Sequence, residues 1–188
     1  MIAGVDEAGR GPLAGPVTVA AVILKSIPVG LNDSKKLSEK KRLSLLSAIK
    51  SSAVAWSVVH VSPEDIDELN ILQATLWGMQ QAVQQLSTQP LEVLVDGNQV
   101  PQLKLPCRAI VGGDGLEACI SAASIVAKCH RDALMHDAHQ QFPNYGFNQH
   151  KGYPTKAHMA ALKKHGPCTI HRRSFAPVRA AEQQGLFV

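Results

Sequence analysis

At 188 residues and 45% hydrophobic content, the chain is long enough to bury one sizeable core, and a single domain over 1–188 is expected, with about 142–188 as a helical C-terminal extension of the same unit. The net charge of +4 allows a polyanionic partner without requiring one, although the excess is clustered in Lys25–Lys50 and Lys151–Arg179 while Glu64–Glu68 is acidic. No apolar run approaches the roughly 20 residues that span a bilayer, which excludes a membrane role. Cys107, Cys119, Cys129 and Cys168 form no Cys-x-x-Cys pair and no leader precedes the first strand-like segment, so reduced thiols in a cytoplasmic monomer are expected.

Met1–Val5 and Val17–Leu24 are rich in Val, Ile and Ala, and Pro12 and Pro16 keep helix out of the segment between them. They read as two strands joined by a glycine-rich loop. After Ser38, Glu39–Ser52 carries Leu43, Leu46 and Ile49 on one helical face and leads into the strand-like Ala53–Val61. Ser62-Pro63-Glu64-Asp65 joins an N-cap residue, a proline at the first helical position and acids in the first turn, which opens a short helix. A second helix is expected from Ile71 to Leu86, then strands at Leu91–Val95 and Arg108–Val111. Leu116–Gln141 reads as one long helix whose small residues Ser121–Ser124 allow close packing. Pro154 and Thr155 open another reaching His165, and the tail after Pro177 forms a last one. Trp56 and Trp77 lie in periodic apolar segments and are expected in the core. Because the first loop is too short for a helical crossover, the fold class is α/β with a mixed sheet covered by helices.

Asp6 and Glu7 follow the first strand, Asp96 follows another, and Asp114 stands just before the long helix. In open α/β sheets, ligand-binding groups gather at such places. Taken singly, acids near turns are usually solvated, and Asp96-Gly97 is ordinary turn chemistry. Each of these acids, however, follows an apolar or glycine segment that should be buried, and several buried carboxylates without basic partners call for divalent cations. Hard oxygen ligands suit Mg²⁺ or Mn²⁺ rather than zinc. Such ions activate a water and stabilise the leaving oxygen of a phosphoryl displacement, so phosphodiester hydrolysis is the natural reaction class. Gly9-x-Gly11 does not continue as a dinucleotide motif, because the next glycine is Gly15 and the chain then enters a strand. Arg10 within the loop supplies a planar cation for phosphate.

The segment Gly4-Val5-Asp6-Glu7-Ala8-Gly9-Arg10-Gly11-Pro12-Leu13-Ala14-Gly15-Pro16-Val17 resembles the opening signature of the ribonuclease HII family. Further segments agree in order, among them Asp33–Ser38, Asn70–Thr75, Val95–Asn98, Ile120–Lys128, Lys151–Thr155 and His171–Phe175. The resemblance implies a ribonuclease H-like mixed β-sheet flanked by helices, with a helical C-terminal part. It also implies an endonuclease that hydrolyses the RNA strand of RNA–DNA hybrids and incises ribonucleotide-containing duplex DNA 5′ to the ribonucleotide, leaving 5′-phosphate and 3′-hydroxyl ends. By the same match Asp6, Glu7, Asp96 and Asp114 are the catalytic ligands of Mn²⁺ or Mg²⁺. Gly9, Arg10 and Gly11 meet the ribose 2′-hydroxyl and neighbouring phosphate, and Tyr153 packs on the adjoining sugar. The 2′-hydroxyl is the group by which a protein tells RNA from DNA. The sister type, ribonuclease HIII, carries an additional N-terminal domain, for which Asp6 lies too near the start. Two departures stand out: Gly112-Gly113 occupies the place where the family has a lysine two residues before the acid, and Cys129-His130 replaces an apolar and hydroxyl pair.

Lys36 and Lys151, inside these segments, are candidates to neutralise phosphates. His136 and His139 lie three apart on a helix but have no third ligand nearby, so they read as surface residues. Gln183 followed by Leu186 and Phe187 resembles short peptides that dock on bacterial sliding clamps; the alternative is an apolar tail folded on its own domain. Two other functions compete with the nuclease: a binding module that keeps the fold without the chemistry, and a resolvase or transposase working on other DNA.

Overall fold

The computed structural model describes residues 1–31 and 37–185. Strands β1 (Ile2–Ala8), β2 (Val17–Leu24), β3 (Ala53–Val61), β4 (Glu92–Asp96) and β5 (Cys107–Ile110) form one sheet in the order β3-β2-β1-β4-β5. β1 is antiparallel to β2 and parallel to β4, and β4 is parallel to β5. The mixed sheet follows from loop length: the short connection from β1 to β2 allows only an antiparallel pair. The helices are α1 (Glu39–Ser52), α2 (Pro63–Leu69), α3 (Ile71–Gln84), α4 (Ala118–Gln141), α5 (Phe147–His150), α6 (Lys156–His165) and α7 (Ala176–Gly185).

Two compact units divide the chain. The first comprises Met1–Ala8, Thr18–His60 and Thr75–His130, and holds the sheet with its helices. Its core joins Ala20 and Val22 of β2 to Leu45 and Ile49 of α1 and to Ile125 and Val126 of α4. Each of the Val, Leu and Ile side chains among these, fully buried, contributes roughly 1.5–3 kcal/mol. The second comprises Gly9–Val17, Val61–Ala74 and Arg131–Val188, around Ala14, Met135, Tyr145 and Phe147 and around Leu13, Leu162 and Val178.

Local chemistry explains most element starts. The Ser38 side chain accepts from the Lys41 N–H, Ser62 forms a capping box with Asp65, and Thr155 caps α6. The Asn70 side-chain oxygen accepts from the N–H groups of Leu72 and Gln73, which separates α2 from α3. The structure departs from the sequence reading at several points. α4 begins at Ala118 because Gly113–Gly115 forms a 3-10 turn. On α1 the buried pair is Leu45 and Ile49, four apart, and Leu43 is 50% exposed. Trp56 and Trp77, expected in the core, are 36% and 42% exposed. On β3, alternation buries Ala55, Ser57 and Val59 and turns Trp56 outward, where the Lys50 ammonium lies 4.4 Å from its ring centroid. The four cysteines are free, and no helix among the described residues is long and apolar enough to cross a membrane.

Gly4 sets how closely α4 approaches β1. A Cβ at that position would sit 2.1 Å from the Cys119 carbonyl carbon, a backbone atom that cannot swing aside. Gly4→Ala is therefore expected to cost about 3 kcal/mol, at the upper end of ordinary overpacking. The urea midpoint measures it, and an unchanged midpoint would mean that the contact is not fixed.

Candidate active site

Strand register gathers the acids. Parallel pairing of β1 with β4 ends at Val5↔Val95, so the next residue on each strand is Asp6 and Asp96. Equivalent positions on neighbouring strands share a face, here the face on which Gly4 admits α4. β1 itself runs on, pairing with β2 through Ala8↔Thr18. Asp6 and Glu7 thus lie inside the strand rather than after it, because β2 still offers hydrogen bonds where β4 has stopped.

Asp6 is 5% exposed. The Glu7 N–H donates to its Oδ1 at 2.7 Å, and the Ser124 side chain on α4 adds a second hydrogen bond. Both favour the anion. Burial first, then the charges of Glu7 and Asp96, outweigh them and hold the Asp6 carboxyl well above the usual carboxylate range. Asp114 is also 5% exposed; its N–H approaches Asp96 Oδ1 at 3.4 Å, while its carbonyl accepts from the Ser121 hydroxyl. The first unit therefore brings all four sequence-predicted acids into one neighbourhood. Among the described residues no three acid, histidine or cysteine side chains yet close on a single point. Like charges repel, and the oxygen-only donor set with a destabilised anion at its centre fits a hard divalent cation.

The glycine loop belongs to the second unit, and two buried arginines shape it. Arg172, 0% exposed, donates from Nη2 to the Gly9 carbonyl at 2.6 Å, from Nη1 to Arg10 at 2.9 Å and from Nε to Gly15 at 2.9 Å. Arg131, 1% exposed, donates to the carbonyls of Pro16, Ala14 and Lys151 at 3.0, 3.2 and 2.9 Å. Desolvation lowers the two guanidinium pKa values, to about 9 for Arg172 and about 10 for Arg131, which leaves both charged at neutral pH. In a trans peptide the C=O and the following N–H point opposite ways. With the Gly9 and Arg10 carbonyls turned in to Arg172, the N–H groups of Arg10 and Gly11 point away from it. Arg10 and Gly11 are exposed. At Gly9, φ is +95° and a Cβ would lie 1.9 Å from Arg131 Nε, so no other residue fits.

Tyr153, 42% exposed, lies against this loop: a Cβ on Gly11 would be 3.5 Å from its Cε1, and the Arg131 guanidinium carbon is 5.9 Å from its ring centroid. Gly9, Gly11 and Tyr153, paired in the sequence reading only through resemblance, are thus neighbours. The Lys151 ammonium bonds the Asn148 carbonyl and lies 3.2 Å from His136 Nε2. Lys36, Leu186 and Phe187 lie outside the described residues, and Gln183 is exposed near the end of α7. Sequence reasoning missed Arg131 and Arg172. Arg172 sat within the quoted His171–Phe175 segment, whereas Arg131 gave no signal beyond its charge.

The sheet order and flanking helices define the class, a ribonuclease H-like α/β fold. A family model described as Ribonuclease HII matches residues 3–178. The chain belongs to the ribonuclease HII family, endoribonucleases that act on RNA–DNA hybrids. It is 58% identical over 180 residues to ribonuclease HII of Dechloromonas aromatica (strain RCB), covering 95% of this chain and 92% of that one. The crystal structure of ribonuclease H2 from Pyrococcus horikoshii OT3 superposes with a TM-score of 0.82 at 28% identity, covering 97% of both chains. Ribonuclease HII from Archaeoglobus fulgidus, solved in complex with PCNA, superposes with a TM-score of 0.78 at 27% identity over 92% of this chain and 93% of that one.

Arg172→Lys keeps the charge but not the fork, and strands at least one of three buried carbonyls. A loss of about 3 kcal/mol in chemical denaturation is expected. A loss below about 0.5 kcal/mol would show that the loop does not need these bonds.

Proposed function

We propose that the chain cuts duplex DNA on the 5′ side of an embedded ribonucleotide, as well as the RNA of hybrids, with Asp6, Glu7, Asp96 and Asp114 as ligands of Mn²⁺ or Mg²⁺. The observation that carries this reading is the buried Asp6 carboxyl, held well above the usual carboxylate range first by burial and then by the charges of Glu7 and Asp96, on an oxygen-only site. Bound there, the metal supplies an activated water and charge stabilisation at the phosphate. The water oxygen bonds to phosphorus, the bond to the 3′-oxygen breaks and that oxygen takes a proton, giving 5′-phosphate and 3′-hydroxyl ends. Gly9, Arg10 and Gly11 meet the ribose 2′-hydroxyl and its phosphate, with the outward N–H groups of Arg10 and Gly11 and the Arg10 guanidinium as donors, and Tyr153 packs on the adjoining sugar. Contacts of this kind address groups common to every ribonucleotide whatever its base, which suits an enzyme that recognises a sugar rather than a sequence. Lys36 and Lys151 are assigned to phosphate neutralisation along the duplex.

The test is a duplex carrying one ribonucleotide, incubated with Mg²⁺ or Mn²⁺. Incision 5′ to that nucleotide is expected. Asp96→Asn should lose cutting by on the order of 100-fold or more, beyond what loss of a mere supporting group costs, while still shifting the substrate in a gel. Uncut substrate with the unmutated chain would defeat the reading and leave a binding module.

The archaeal relative solved with PCNA supports a second element of the proposal, docking on a sliding clamp through Gln183, Leu186 and Phe187. Deleting residues 183–188 should abolish capture by an immobilised bacterial clamp and spare hydrolysis. Undiminished capture would remove the tail from the account.

A further inference from the structure

Behind Tyr153 lies a chain of hydrogen bonds that the proposed chemistry leaves unused. His158, on α6 and 0% exposed, has Nδ1 3.0 Å from the Tyr153 carbonyl oxygen and Nε2 3.1 Å from His171 Nε2. His171, 1% exposed, has Nδ1 3.0 Å from the Cys168 backbone nitrogen. Aromatic neighbours fix both rings: His150 stacks on His158 with centroids 4.5 Å apart, Phe147 stands edge-on to it, and Tyr145 lies 5.0 Å from His171.

One proton arrangement satisfies every contact, including that of the Cys168 Sγ, which lies 3.1 Å from the same His171 Nδ1 and can add its S–H as a second donor there. The Cys168 N–H only donates, so His171 Nδ1 accepts and the His171 proton sits on Nε2. That proton is donated to His158 Nε2, which leaves the His158 proton on Nδ1, facing the Tyr153 carbonyl. Each ring holds one proton and is neutral; a charged ring would set two N–H groups against each other. Burial, then the neighbouring His158, pushes the His171 pKa down to about 4, and burial lowers that of His158. A buried, satisfied histidine pair is often only core polarity. Here its two ends matter. One is the backbone of Tyr153, and the other is the segment that bridges Ala14 and carries Arg172 to the glycine loop.

We propose that His158 and His171 are positioning residues, a tautomer-locked imidazole pair that fixes the Tyr153 backbone relative to the Arg172-held loop and so keeps its ring against Gly11. The proposal rests on the reading that Tyr153 touches substrate. Two amides separate positioning from simple support of the Cys168 turn. Gln at 171 can place its NH₂ where Nε2–H stands and still donate to His158. Asn places its oxygen where Nδ1 stands, keeping the Cys168 bond but losing His158.

Steady-state kinetics on the ribonucleotide-bearing duplex with Mg²⁺, with thermal melts of each variant, form the test. Tyr153→Ala should raise KM about tenfold, the signature of lost uniform binding. His171→Asn should raise KM by a similar factor with kcat within about twofold, His171→Gln should recover most of it, and His171→Asn should add little in the Tyr153→Ala background. Asn and Gln variants alike in KM, or a full further rise in the double variant, would overturn the positioning role alone. An unchanged KM in Tyr153→Ala would overturn the Tyr153 reading and the pair's role with it. If either amide at 171 fails to fold, His158→Asn and His158→Gln decide in the same way. Asn keeps the donor to the Tyr153 carbonyl and should hold KM low, and a KM no lower than that of Gln overturns the role.

Discussion

Removing a guanidinium from water costs several kcal/mol unless other dipoles replace the water it loses. In the second unit Arg131 and Arg172 meet that requirement with peptide carbonyls, most of them in the Gly9–Pro16 loop. The arrangement binds both parties. The loop has no regular secondary structure to satisfy its carbonyls, and the arginines supply planar forks of donors that no shorter or single-headed side chain matches. Once those oxygens are committed inward, the direction of the adjoining N–H groups follows from peptide geometry alone.

The first unit presents the opposite electrostatic problem. There a buried anion, Asp6, has the Glu7 N–H and the Ser124 side chain as hydrogen-bond donors, yet Glu7 and Asp96 crowd it with like charge. Arg131 and Arg172 are settled within the protein by the dipoles around them. Asp6 is not, and its discomfort marks it as a place where a component from outside belongs. The carboxylates are held there by strand register and by Gly4, features of the backbone that do not depend on whether the acids are charged.

How much of this was legible in the sequence depended on the distance over which each feature is determined. β2, α1 and β3 could be read to their end residues because their signals are local: apolar runs, a serine cap, a change of periodicity. The acids were found because each stands at the end of an apolar or glycine-rich run. The burial of Leu45 in place of Leu43, and the outward turn of Trp56 and Trp77, were not legible, since hydrophobicity says that a residue can be buried and not which side of its element meets a partner. Arg131 and Arg172 were invisible for a stronger reason. Their partners in the glycine loop lie 115 to 163 positions away, and a basic residue on a helix flank or in a loop looks solvated until those carbonyls are placed beside it. His158 and His171 are thirteen positions apart and escaped notice because neither has a local pattern to betray the other.

That separation also orders events in time. The glycine loop is synthesised well before the side chain that holds its Gly9, Arg10 and Gly15 carbonyls, which follows 157 to 163 residues later. Until then those oxygens have only water to accept from, and the loop has no Arg172 bonds to select one conformation. Closing a contact over 163 positions is slow compared with capping a helix or pairing neighbouring strands. The nascent chain can therefore assemble β1 and β2 early, while the segment between them waits for the distant Arg172 to set its shape.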